Sequence, residues 1–315
     1  MLSRTADHLF WMSRYMERAE NLARLLDVTW QLSLVPQSLE AAGRNWEAIL
    51  ALNSLEETFA ERYPEASAGN VLRFMVSDPD NISSIHSCLR LARENAHAVR
   101  GSITTEMWET INATWLEARG RSFEEIAASG IGDYCEWVKM RSALSRGVTL
   151  GTLLQDEAFH FIRLGTLLER ADNTARILDV KYYALQPQGG EETTDFYQWG
   201  ALLRSVSAFE VYRKAYRDVI TPERVAELLI LEKGMPRSLL FCLGGVVKTL
   251  DLIAGRQSVT ARGRAAELLG QLQSGQIGGI LARGLHHYLT DFMDRIYALG
   301  DDIAHDFLLP TPENA

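Results

Sequence analysis

Two stretches of the chain gather acids, arginines and amides at helical spacing. The first holds Glu17, Arg18, Glu20, Asn21, Arg24 and Asp27; the second, about 152 positions later, holds Glu169, Arg170, Asp172, Asn173, Arg176 and Asp179. A planar guanidinium can clamp a carboxylate or phosphate through two parallel hydrogen bonds, and a glutamate can hold an amine or a metal. Such a cluster could therefore form a central pocket for an acidic ligand, with Glu17 or Glu169 as general base if amide-transfer chemistry occurs there. Equally, it could be an interhelical network that fixes how two helices dock, because desolvated arginines and carboxylates must find partners. A solvated face has no need of the same polar identities twice, so much of this face is expected to be buried or constrained.

Metal chemistry has a separate basis. Glu94-Asn95-Ala96-His97 and Glu157-Ala158-Phe159-His160 carry the Glu-x-x-His spacing of di-metal helical bundles, which add a Glu from each of two other helices. Glu17 and Glu169 could be those two. However, His8, which matches His160, has Thr5 three residues earlier instead of an acid. His8 and His160 also project opposite Glu17 and Glu169, and the expectation is no metal and no cofactor. Gly-x-Ser-x-Gly, P-loop, dinucleotide and His-Glu-x-x-His motifs are absent from the sequence. Cys88 and Cys242 lie among apolar residues and read as small core residues, Trp46, Trp108 and Trp199 as core anchors, and His286-His287 as a partly exposed helix surface.

The elements that must position these groups are helices. Eight prolines fall mostly where helices would begin or end. Ser3 or Thr5 can cap a first helix running to about Leu34, before Pro36. At ~100° per residue, His8, Met12, Tyr15, Ala19, Leu22, Ala23 and Leu26 form one apolar stripe, and the polar set with Arg14 fans out opposite it. Further helices are predicted over 45–63, 83–100, 104–119, 134–154, 156–183, 195–216, 236–254 and 281–308, with shorter ones around Val71 and Val225. Thr221-Pro222-Glu223 is a strong start signal. Residues 187–192, 255–263 and 274–279 read as connections, whereas 151–155 reads as unbroken helix.

Sliding the sequence on itself by about 152 positions superposes the two polar stretches, and His8 on His160. With a drift of one or two residues, Trp46 meets Trp199, Ser54 meets Ser207, Cys88 meets Cys242, and Tyr134 meets Tyr288. The expected fold is all-α: a duplicated helical bundle, repeating over approximately 1–150 and 151–315, with pseudo-twofold halves packed into one compact unit and a single domain over 1–315. The first helix should then lie beside the one at 156–183.

Composition sets the outer bounds. With 315 residues, 47% apolar and 23% charged, the chain is expected to be a soluble globular protein. The 41 acidic and 32 basic residues give a net charge of −9, which disfavours nucleic-acid binding. No apolar run approaches the roughly 20 residues of a membrane helix. The charged N-terminal residues do not suit a signal peptide, and three cysteines without metal-ligand spacing suit a reducing compartment, so a cytoplasmic location is expected.

Residues 8–28, from His8-Leu9-Phe10-Trp11 through Glu17-Arg18-Ala19-Glu20-Asn21 to Leu26-Asp27-Val28, resemble the signature of the bacterial alpha-E family of all-helical proteins with a Glu-Arg motif. The second copy at Glu169-Arg170 supports the resemblance. So do Leu91-Ala92-Arg93-Glu94-Asn95-Ala96, Glu106-Met107-Trp108-Glu109, Leu203-Arg204-Ser205 with Ser207-Ala208-Phe209-Glu210, and Pro236-Arg237-Ser238. They make Arg93, Glu94, Arg204, Glu210 and Arg237 secondary site candidates. Thr166 departs from the pattern, standing where Arg14 would repeat. The resemblance implies genes beside or fused to ATP-grasp proteins and transglutaminase-like peptidases, a setting of peptide or amide-bond formation. The expected function is thus an accessory or scaffold partner of an ATP-grasp ligase, non-enzymatic, with the Glu/Arg faces holding the partner or an acidic peptide. A transglutaminase-like protein is a second expected partner, and a homo-oligomer is open.

Overall fold

The computed structural model describes residues 1–34, 39–184, 192–254 and 259–309. Among these the chain forms α-helices and no strand. They are α1 (Ser3–Ser33), α2 (Leu39–Asn53), α3 (Glu56–Ala60), α4 (Ala68–Val76), α5 (Ile85–Ala98), α6 (Thr105–Arg119), α7 (Phe123–Ser129) and α8 (Ile131–Thr152). After a short turn follow α9 (Glu157–Ala184), α10 (Glu192–Ser205), α11 (Phe209–Tyr216), α12 (Pro222–Leu231), α13 (Leu239–Ala254), α14 (Thr260–Ser274), α15 (Ile277–Arg283) and α16 (Leu285–Ile303), which ends in a π-helical turn, Ala304–Leu308.

Local chemistry explains most boundaries. Ser67, Ser84, Thr104 and Thr221 each accept a hydrogen bond from the backbone N–H three residues on, satisfying a donor that the first helical turn leaves open. Ser122 and Glu125 form a reciprocal capping box at α7. Pro222 occupies the first turn of α12, as its sequence suggests.

Two predicted helices are each broken in two. The 45–63 helix divides at Ser54 and the 195–216 helix at Ser207, both in the left-handed region at φ 54°. A single non-glycine residue of this kind ends a helix without needing the proline or glycine that sequence reading looks for. The 151–155 stretch is also broken: Leu153 is extended, and Asp156 accepts from the Ala158 N–H at 2.9 Å to open α9. The 281–308 helix begins later, at Leu285, behind Gly284 at φ 90°. α7 and α14 occupy stretches without a helix in the sequence reading, and α15 begins before the helix expected from 281, so the connection expected at 274–279 is largely helical. The connection at 187–192 lies, up to residue 191, outside the described residues, as do 255–258.

α1 and α9 are the central pair. Contacts advance together along both, from Met1 with Glu157 to Arg18 with Glu169, so the two helices run parallel. Gly165 makes the approach possible: a Cβ there would overlap the Ser13 hydroxyl and the Phe10 carbonyl. α5, α8 and α10 also pack on α1, and α13 and α16 pack on α9. α1 is therefore buried beyond its apolar stripe, with Glu17 and Glu20 1% and 0% exposed. One apolar cluster includes Leu9, Leu26, Trp46 and Cys88 on one side of Glu157 and Leu164, Leu178, Trp199 and Cys242 on the other. Trp108 packs against this cluster while half-buried, with Arg93 and Arg100 over its ring. Cys88, Cys135 and Cys242 are buried free thiols that desolvation pushes up to about 12.

Candidate functional site

The polar faces of α1 and α9 meet in a crossed pair of Glu–Arg clamps. Arg170 donates from Nε and Nη2 to the two oxygens of Glu17 at 2.9 and 2.8 Å. In return, Arg18 donates from the same two atoms to Glu169 at 2.6 and 3.1 Å. Each guanidinium meets its carboxylate in the fork geometry that makes such pairs strong. Arg14 adds a third bond to Glu169 at 2.8 Å.

A polar layer on α1 surrounds Glu20. Arg24, one turn on, donates to Oε1 at 2.8 Å, and Arg237, from the loop before α13, reaches the same oxygen at 2.8 Å. Arg237 also donates to Glu17 at 3.0 Å and to Asn21 Oδ1 at 2.8 Å. From α8, the Ser142 hydroxyl donates to Glu20 Oε2 at 2.7 Å, and Arg146 pairs with the same oxygen. Burial alone would raise these carboxylates. The arginines outweigh it: Arg170 and Arg237 hold Glu17 low, Arg237 and Arg146 hold Glu20 low, and Arg18 and Arg14 hold Glu169 down at about 2.

On α9 the matching layer is thinner. Arg176 donates to Asp172 Oδ2 at 2.8 Å, but Oδ1 is buried with no partner. Desolvation raises the Asp172 carboxyl, with Arg176 only partly offsetting it. Asn173 lines the same region.

Other sequence candidates lie elsewhere. Asp27 pairs with Lys139 on α8 at 2.8 Å and Asp179 with His286 on α16 at 2.7 Å, each farther along its helix from the clamps. Arg93 donates to Asn112, Glu94 takes an exposed bond from Arg90, and Arg204 lies over Phe209. Glu210 is exposed in the first turn of α11. Of the secondary candidates only Arg237 joins the network. Sequence reasoning missed Ser142 and Arg146, whose partners are more than 120 residues away, so no local spacing announces them. Among the described residues no group of three His, Cys, Asp or Glu side chains could hold a metal; His8 instead bonds Asn95 at 2.8 Å.

Two cavities flank the clamps. The larger, about 310 Å³, lies between α1, α8 and α9. Met12, Met16, Ile162 and Phe241 form part of its apolar wall, and Arg146, Arg163 and Arg170 supply charge against Glu17. Arg163 is exposed. The smaller, about 170 Å³, is polar, with Arg18, Asn21, Ser83, Asp172, Asn173 and Tyr297 among its lining.

This arrangement of paired Glu-Arg steps can be set beside known proteins. The profile of a family named Alpha-E, described as a predicted alpha-helical domain with a conserved ER motif, matches residues 1–308. The chain belongs to the Alpha-E family. Its similar proteins include uncharacterized ones from Mycobacterium tuberculosis and Mycobacterium bovis, each 22% identical over 325 residues. The match covers 96% of this chain and 36% of each relative, so the chain spans about a third of the length of the curated relatives it matches. No solved structure matches this Alpha-E chain. Its Glu-Arg steps on α1 and α9 form the crossed clamps. No described helix is long and apolar enough to cross a membrane.

Proposed function

We propose that this Alpha-E protein is a non-catalytic binding module, an accessory partner of an ATP-grasp peptide or amide ligase, that holds an acidic group with an apolar neighbour in the cleft between α1, α8 and α9. The carrying observation is the cleft's charge: three arginines line it against one carboxylate, Glu17, which is already clamped by Arg170 and Arg237. An incoming carboxylate or phosphate would find Arg163 making no ion pair among the described residues and Arg146 a third exposed, beside an apolar wall. The Glu/Arg faces act here mainly as architecture, since nearly all their charges are spent on each other. The ATP-grasp and transglutaminase-like partners come from the family resemblance. That the curated relatives carry far more chain than the matched part is consistent with a module working beside other domains.

The general-base alternative is weaker. A base works best with a pKa near the working pH, and Glu17 and Glu169 are held well below the ordinary carboxylate range.

We also infer that the chain is a duplication folded as a single unit about a pseudo-twofold axis through the α1–α9 crossing. Supporting it are the reciprocal clamps, the matched kinks at Ser54 and Ser207, and the positive-φ glycines Gly130 and Gly284 that open α8 and α16. In a twofold contact residue i meets j' while j meets i', as Glu17–Arg170 and Arg18–Glu169 do.

The test is purification of tagged protein from its native cells, wild type beside Arg163→Glu. An ATP-grasp protein in stoichiometric amount with wild type, reduced by the charge reversal, is the expected result. Wild type emerging alone would remove the partnership.

A further inference from the structure

The two polar layers differ at one decisive position. The loops before α5 and α13 share a set of internal hydrogen bonds. Ser84 Oγ donates to the Asp78 carbonyl and Ser238 Oγ to that of Glu232; Cys88 Sγ faces the Ile82 carbonyl and Cys242 Sγ that of Pro236. Each Ser also caps its helix, accepting from Ser87 N and Phe241 N. This shared frame puts Ser83 at the position of Arg237. The match rests on these bonds and stands whether or not the whole chain is a duplication.

In the first layer the Arg237 guanidinium fills the space and donates to Glu17, Glu20 and Asn21. In the second, the corresponding acceptors are Glu169, Asp172 and Asn173, and the short Ser83 side chain leaves the 170 Å³ cavity. Its lining contains an unmet acceptor, Asp172 Oδ1. The number of guanidinium groups points the same way. The first layer sets Arg24, Arg146, Arg170 and Arg237 against Glu17 and Glu20; the second sets only Arg14, Arg18 and Arg176 against Glu169 and Asp172. One more guanidinium would equalise them.

We propose that this second cavity binds a guanidinium group, carried by a small molecule or by an arginine side chain of a peptide, with Asp172 as its principal acceptor and Asn173 and Glu169 beside it. A planar fork suits three acceptors spread along one helix better than a compact ammonium does. Asp172 is raised by burial, since its Oδ1 lacks the partners that Glu20 has, and a bound cation would lower it again.

The experiment is calorimetric titration of the whole protein with N-ethylguanidinium and with an N-acetyl-arginine amide peptide. One equivalent is expected to bind, with methylammonium and acetate at least roughly tenfold weaker. Similar affinity for both guanidinium probes identifies the group alone as the ligand, whereas a strong preference for the peptide identifies a peptide source. Asp172→Asn should weaken binding roughly tenfold or more with the fold retained. Ser83→Arg should abolish binding and raise the melting temperature by placing a guanidinium where Arg237 has its own. No binding of either probe at millimolar concentration, or binding unchanged in both variants, would overturn the proposal. Arg163→Glu, which alters the other cavity, should leave binding intact, so this site and the anion cleft stand or fall separately.

Discussion

Arg237 touches three side chains of α1 at once and is itself almost wholly buried. Removing one member of a buried ionic group leaves the others desolvated without compensation, so Arg237→Ala should destabilise the protein by about 3–5 kcal/mol in urea unfolding. Glu210→Ala, at an exposed position, should stay within about 0.5 kcal/mol. The same network dictates the acid limb of stability. Glu169 is held at about 2 in the folded protein against 4.5 ordinarily, and Glu17 and Glu20 are lowered too. For a lowered carboxyl, the unfolded chain binds more protons between the two values, so its contribution to stability is whole above about 4.5 and falls as the pH drops toward 2. Asp172 has the opposite sign, its burial penalty easing on protonation, but one raised group stands against three lowered ones. Urea midpoints measured from pH 7 to 2.5 should therefore decline gently from about pH 6.5, where buried His86, lowered to about 4, resists protonation, and more steeply below pH 4.5, the steeper limb being reduced in Glu169→Gln.

At the scale of elements, the parallel crossing of α1 and α9 depends on Gly165. Gly165→Ala forces its methyl into the Phe10 carbonyl, backbone that cannot rotate away, and should cost about 1–3 kcal/mol. Gly278→Ala, helical with open space around it, should instead stabilise by about 0.5–1 kcal/mol; thermal melts of both variants check the pair. These elements were largely legible in the sequence because long amphipathic runs and caps are local signals. Ser54 and Ser207 hid their kinks, since serine is no conspicuous helix breaker. The site was legible only in part. Repetition exposed Glu17, Arg18, Glu169 and Arg170, but Arg146 and Ser142 have partners on a helix distant in sequence, and Ser83 matters for being small, which no motif advertises.

For the whole molecule, the clamps join helices that begin about 150 residues apart, and the apolar cluster is continuous across them. α1 and α9 should therefore open together. Native-state hydrogen exchange is expected to give their central amides the same, highest opening free energy, reduced equally by Arg237→Ala although that residue touches only α1 with its side-chain bonds to Glu17, Glu20 and Asn21. Separate protection levels for the two helices would mean that the parts unfold independently.

The buried cysteines give the protein a clock. Cys88, Cys135 and Cys242 lie in α5, α8 and α13, held as unreactive thiols at neutral pH and shielded from solvent. A maleimide can reach them only when those helices open, so the three labelling rates, resolved by peptide mass, time the opening of three separate regions without any engineered probe.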